Sequence, residues 1–251
     1  MHATAKVTST NAVLPLRNVY RQEMNCQIVH DSIHRRTGWT TTYALVVDDI
    51  DAGFGSIAIG GPWTGIPTIF EFYVVPAYRG SAFQLFEKFL EACGATLMDV
   101  QSNDELLAVM LYTYARDIRS EKVLFRDGVT TALESSGAVL EMMTGEEDTR
   151  RAIGARQGGP EWRLRLDNET VATGGILFHY NPPYGDIYMD VAEPFRRRGF
   201  GAYLVQELKR VAYVLSSIPG ARCSPDNIAS RLTLQKAGFV PYAHMLNGAI
   251  R

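Results

Sequence analysis

Cysteine is scarce. Cys26, Cys93 and Cys223 are the only three among 251 residues, an odd number with no close spacing. That excludes a disulfide framework and a four-cysteine zinc site. An excess of charge of one sign is also missing. Twenty-five Lys and Arg against 27 Asp and Glu give a formal net charge of -2, without the basic surplus of a dedicated nucleic-acid binder. No apolar run approaches the ~20 residues that span a bilayer. The stretch Met1–Asn11 is polar and does not read as a secretory leader. These absences predict a cytoplasmic protein with reduced thiols, acting without membrane or nucleic acid. What is present is an ordinary globular balance, 46% hydrophobic and 21% charged, in a chain long enough to bury a core without staples. The length suits one large domain or two of usual size.

One plan recurs in the two halves. Ile69–Val75 is apolar and strand-like; Pro76, Tyr78, Arg79 and Gly80 follow, then Phe83, Leu85, Phe86, Phe89 and Leu90 at helical steps. The stretch from Ile187 does the same: a strand, Pro194-Phe195-Arg196, a glycine turn, then Leu204, Leu208, Val211, Ala212 and Leu215. Two strand-like runs precede each unit: Thr41–Asp48 and Gly55–Ile59, then Trp162–Leu166 and Val171–His179. A short apolar strand, an Asn (Asn103, Asn227) and a helical pattern follow each. The order argues for α/β modules. Leu16–Arg36 predicts an opening helix. Asp127-Gly128 reads as a hairpin turn between Lys122–Arg126 and Val129–Leu133. Thr144 and Glu147 form a capping box for a helix to about Arg156. The predicted boundary gives domains 1–135 and 136–251.

The most informative stretch is Val191 to Ala202. A strand ends, glycines follow, and a helix begins. The first N–H groups of a helix have no partner within it, and its dipole adds positive potential there. Gly199 and Gly201 remove side chains, so a phosphate oxygen can approach the backbone. Arg196, Arg197 and Arg198 add charge and forked donors. The plain alternative is a strand-to-helix turn with a solvated basic patch.

Arg196-x-x-Gly199-x-Gly201 resembles the pyrophosphate-binding motif of the GNAT superfamily of CoA-dependent N-acyltransferases, Gln/Arg-x-x-Gly-x-Gly/Ala after a strand ending in Val-x-x-Pro. Asn227-x-x-Ser230, followed by Gln235-Lys236-Ala237-Gly238-Phe239, is similar to that family's later helix and its Lys-x-Gly-Phe end. The resemblance covers roughly residues 161–242. It implies two tandem GNAT-like modules, each a mixed, mostly antiparallel sheet flanked by helices. It also implies that acetyl-CoA is the co-substrate, with no metal, and that an amine of a small molecule or peptide is the acceptor. The backbone of Arg197, Arg198, Gly199, Phe200, Gly201 and Ala202 would hold the pyrophosphate behind Arg196. Met189, Asp190 and Val191 would run beside the pantetheine, and Asn227, with Ser230 nearby, would contact the same arm. In the first half the two glycine positions hold Ala82 and Gln84. Residues 1–135 therefore read as a degenerate copy that does not bind CoA.

The expected reaction is direct attack of an amine on the thioester in a ternary complex. An alkyl amine has a pKa near ~10, so a base must take its proton. The thiolate needs less help from an acid. The position that often carries the family's Tyr acid holds Leu234, and the strand position that can carry its Glu base holds Arg222. By strand alternation Asp186, Tyr188 and Asp190 share one face. Asp190 and Glu193 are the carboxylates beside the expected thioester, and Tyr188 is the candidate acid. Each has a structural alternative as an ordinary polar group, and Cys223 reads as a buried thiol. The missing acid and base motivate a second reading, a non-catalytic CoA-binding sensor; an interaction scaffold is a third. His30 and His34 stand at a zinc-ligand spacing, but no third ligand is evident, so a solvated helix face is expected. Monomer and homodimer both remain open.

Overall fold

The computed structural model describes residues 2–28, 31–134, 137–143, 145, 147–148 and 158–251. Two compact units emerge: residues 1–121 with 244–251, and residues 122–243. This differs from a division at residue 135 in two places. Residues 122–135 belong with the second unit, and the last eight residues return to the first.

The first unit contains β1 (Ala3–Thr8), α1 (Leu14–Met24), β2 (Thr40–Val47), β3 (Ile50–Ala58), β4 (Thr68–Val74), α2 (Ala82–Cys93), β5 (Leu97–Gln101) and α3 (Glu105–Tyr114). β6 (Ala115–Asp127) then crosses the unit boundary. The second unit holds β7 (Val139–Met142), β8 (Glu161–Leu166), β9 (Glu169–Leu177), β10 (Tyr184–Val191), α4 (Phe200–Val214), β11 (Ile218–Cys223) and α5 (Ile228–Lys236). β12 (Phe239–Ile250) begins there and ends in the first unit.

The same local chemistry builds the strands of each unit. β2 and β3 are joined by Asp48-Asp49, and β8 and β9 by Asp167-Asn168, all four with positive φ of 46°, 64°, 47° and 71°. These are the residue types that tolerate a two-residue turn matching strand twist. Both hairpins carry a register shift just before the turn, at Leu45/Val46 and Leu164/Arg165. In each unit the next strand is antiparallel to the hairpin and the one after that is parallel. α2 covers its sheet with Ala82, Leu85, Phe86 and Phe89, one helical face against Phe72 and Val74. α4 does the same with Leu204, Val205, Leu208 and Ala212.

The long strands complete the two units with an exchange. β12 pairs with β5, Met245 to Gln101 through Ala249 to Leu97. β6 pairs with β11, Gly220 to Arg126 through Cys223 to Val123. Each unit is thus completed by the strand that the other repeat's order would supply.

Several expectations are corrected. The chain opens with β1 and not a helix; its core-facing positions are Ala3 and Ala5, too small to show as an apolar pattern. α1 stops at Met24 because Asn25 turns left-handed (φ 50°) and returns its N–H to the Arg21 carbonyl at 3.2 Å. Asp127-Gly128 is no hairpin turn. Lys122–Arg126 is the end of a thirteen-residue strand, and residues 128–134 are irregular. α4 satisfies their backbone instead. Gln206 Oε1 accepts from Leu133 N–H at 2.7 Å, and Lys209 Nζ donates to the Val129 carbonyl at 2.8 Å. His34 is not on a solvated helix: its side chain is buried in a 3-10 turn (Asp31–Arg35) with Nε2 2.9 Å from Glu71. β9 ends at Leu177, so His179, the last residue of the expected run, lies beyond it. His30 and most of the capping-box segment 144–156 lie outside the described residues.

Candidate functional site

β10 and β11 run parallel from Tyr184/Ile218 to Ile187/Ala221 and then part. Beyond that point β10 keeps its partner β9 to Val191. The other edge of residues 188–191 has no strand partner among the described residues. Burial records the same event: Tyr184 to Ile187 are buried, and Tyr188 to Val191 alternate between exposed and half-buried. The backbone groups on this edge need partners from outside the ladder.

The turn after β10 supplies a second set. Arg196 folds back, its Nε donating to the Val191 carbonyl at 3.0 Å, so its side chain ties the turn to the strand end. Arg197 (φ 60°) and Gly199 (φ 93°) are left-handed. Alternation of hand at a helix start makes a concave nest of N–H groups. The first helical bond runs from Tyr203 N–H to Gly199 O at 3.1 Å. The N–H groups of Phe200, Gly201 and Ala202 therefore lie ahead of the helical ladder. A Cβ built on Gly199 meets nothing within 4 Å, so the space in front of the turn is open. Gly201 has another role. Its Cβ would come within 3.1 Å of Val191 and 3.2 Å of Thr233, so it sets how closely α4 approaches β10 and α5. Arg198 packs its guanidinium over Phe195 and Phe200, at 5.5 and 5.2 Å.

α5 is placed by its cap. Asn227 Oδ1 accepts from Ser230 N–H at 3.0 Å, and Gly238 (φ 88°) follows the last turn. Burial pushes the pKa of the nearby Cys223 thiol up, against an opposing influence of Ser230.

Of the predicted catalytic groups, Tyr188 and Asp190 fall on one face of β10, and Glu193 lies in the 3-10 turn just after it. Asp190 and Glu193 are exposed. Tyr188 donates its phenol to Glu161 Oε1 at 2.8 Å, and burial together with that carboxylate pushes its pKa up to about 12. Sequence reasoning passed over Asp186 on this same face. It is buried at the narrow end of the opening between β10 and β11. Burial raises its carboxyl to about 6, against the opposing pull of Arg222. Arg222 Nε sits 3.1 Å from Oδ2 and also reaches the Tyr180 hydroxyl. Oδ1 of Asp186 has no hydrogen-bond partner among the described residues.

The first unit repeats the opening and fills it. β4 and β5 pair only at Thr68/Leu97 and Ile69/Met98. Tyr20 from α1 enters the gap and donates to Asp104 at 2.8 Å, leaving a cavity of about 20 Å³. Arg79 repeats the role of Arg196, its Nε on the Val74 carbonyl at 3.2 Å. No residue from Pro76 to Gln84 has a positive φ, and Ala82 is already helical at φ -58°.

Residues 133–239, a stretch that includes the parted strands and the glycine turn, match the model of the acetyltransferase (GNAT) family. The protein has the GNAT acetyltransferase fold. A GNAT-family acetyltransferase from Colwellia psychrerythraea superposes with a TM-score of 0.70 at 14% identity, over 99% of this chain and 100% of that one. A GCN5-related N-acetyltransferase from Sphaerobacter thermophilus gives 0.58 at 14% identity, over 99% and 96%. A tandem GNAT protein from the clavulanic acid biosynthesis pathway gives 0.56 at 12% identity, over 99% and 98%. No curated protein matches the sequence. The GNAT fold thus extends over the whole chain, whereas the family model covers only its second half. Among the described residues, no helix is long and apolar enough to cross a membrane.

Proposed function

We propose that the protein is a tandem GNAT-like N-acetyltransferase whose second unit binds acetyl-CoA and transfers its acetyl group to an amine. The observation that carries this reading is the open turn at Gly199, with three N–H groups ahead of the helical ladder. Those of Phe200, Gly201 and Ala202, with Arg197 and Arg198 beside them, fit a pyrophosphate. On the open edge of β10 the backbone of Met189 and the N–H of Val191 fit an amide-bearing arm, with Asp190 between them on the same strand and with Asn227 and Ser230 at the start of α5 as further contacts.

Bound acetyl-CoA would supply an activated acetyl thioester. The chain supplies the proton chemistry. Asp190 and Glu193, exposed on the approach, attract a cationic amine. Asp186 takes its proton; a base with pKa near the working pH is the effective one. Arg222 holds that carboxylate in place. The thiolate, of ordinary pKa about 8.5, leaves with little help from an acid; Tyr188 keeps its proton at neutral pH and serves as a hydrogen-bonding group beside it. The acceptor is a small molecule or peptide amine. The first unit, whose opening is filled by Tyr20 and whose turn lacks the left-handed glycine, serves without CoA.

Thermal unfolding with and without acetyl-CoA tests the reading, in wild type and Gly199→Glu. Ligand at 100 times its dissociation constant adds about 2.7 kcal/mol, a shift of several degrees for a protein of this size. The shift is expected in wild type and absent in the variant. No shift in wild type at millimolar acetyl-CoA refutes the proposal. A shift without thiol release across a broad amine panel leaves a CoA-binding sensor in place of an enzyme.

A further inference from the structure

The sheet of the first unit is apolar on the face under α2 and polar at one place on the other. Thr42, Ser56 and Glu71 stand in register across β2, β3 and β4, and all three are buried. Hydroxyls and a carboxylate in such a position cost stability unless each is bonded. They are linked from both ends. At the deep end Glu71 receives Arg17 at 2.8 Å and His34 Nε2 at 2.9 Å, and His34 Nδ1 lies 3.2 Å from Thr40 Oγ1. At the outer end Thr42 Oγ1 contacts Ser56 Oγ at 3.4 Å and Thr10 Oγ1 at 3.3 Å. Thr10 and Thr42 open onto a cavity of about 420 Å³.

That volume is in the range of small-molecule sites, roughly 300–1,000 Å³, yet the wall is unlike the apolar lining usual there. Every residue in the runs 8–10 and 40–42 carries a hydroxyl, and Thr37 adds another. Arg35 and Arg36 also line it, and no carboxylate among the described residues does. The Arg36 guanidinium lies over the Trp39 ring at 4.3 Å and has no carboxylate partner among the described residues. Stacking fixes the plane of a guanidinium and leaves its edge donors for an anion. Arg35 is half exposed, 3.6 Å from Asp31 at its nearest.

We propose that this cavity is a second ligand site, for a small hydroxylated oxyanion: a polyol carrying a phosphate or a carboxylate. The anion faces Arg36 and Arg35, and the hydroxyls exchange hydrogen bonds with the threonine wall. Glu71 and Arg17 do not reach the ligand; they hold His34, and through it Thr40, in place. The site is independent of the glycine turn in the second unit.

Titration of the full chain with glycerol 3-phosphate, glycerate and glycerol tests this, read by NMR at the Trp39 indole N–H, which Trp39→Phe assigns. Saturable displacement by one or both anions is expected, and none by glycerol. The anion that binds names the source of the charge. Arg36→Gln, on the surface, should leave the melting temperature unchanged and weaken binding at least about tenfold, as loss of a charge-assisted bond does. Gly199→Glu should leave it unaltered, which separates this site from the cradle. Failure of both anions at tens of millimolar overturns the proposal. So does equal binding of glycerol, or a response that survives Arg36→Gln or disappears in Gly199→Glu.

Discussion

Asp186 and Asp190 lie four residues apart on one face of β10, and their surroundings differ. Asp190 is exposed; Asp186 is buried, with its carboxyl raised to about 6 by that burial. Alternation of side chains made the shared face legible in the sequence, because a strand's period is fixed. Which carboxylate is covered was not legible, because Tyr180 and Arg222 come from other parts of the chain to meet it. If Asp186 is the base, acetyl transfer should rise with pH through about 6 as the carboxyl ionises. Asp186→Asn should lose about 10²–10⁴-fold in kcat and the acidic limb with it. Initial rates of thiol release across pH check both; an unchanged profile removes Asp186 from the reaction. A second titration belongs to stability. Asp104 is raised to about 7 by burial, against an ordinary value near ~3.9 in the unfolded chain. Between those values the unfolded chain has released the proton and the folded one has kept it. Its contribution is therefore full below ~4 and is lost as pH rises toward 7. Asp104→Asn should remove this fall, on the order of 2–4 kcal/mol, as read from urea midpoints at about pH 5 and about pH 8.

At the scale of elements, the hairpins, the strand before the glycine turn and the helix after it were all readable. Each rests on local chemistry: positive φ at Asp and Asn, a run of apolar residues, a glycine at a helix start. β1 was not readable, since alanines make its inner face. The length of β6 was hidden for another reason. Its residues Ala115–Glu121 alternate weakly, and what makes them a strand is β12, more than a hundred residues later. The cap of α5 offers a clean test of a local signal. Asn227→Ala removes the acceptor for Ser230 N–H and should cost about 1 kcal/mol of stability. Acetyl-CoA affinity should fall further than that variant's stability alone accounts for, measured by calorimetry, if Asn227 also touches the ligand.

For the molecule as a whole, the exchange of β6 and β12 makes the first unit discontinuous in sequence. Leu246, buried in the core of that unit, arrives from beyond the second. Leu246→Ala should cost about 3 kcal/mol, and scanning calorimetry should assign the loss to the first unit. The repeat itself was visible as order along the chain, but the exchange was not, because hydrophobic pattern says which face a strand buries and not which neighbour it takes.

The exchanged strand also sets a timetable. Proteins made from the N-terminus usually complete their leading domain first. Here the leading unit waits for residues 244–251, which are synthesised after all of the trailing one. Until then β5 presents the row of backbone donors and acceptors that Met245–Ala249 will take, an edge of the kind that recruits stray strands. On the ribosome, the half read first is the half finished last, and a chaperone or a crowded polysome would meet this protein at β5.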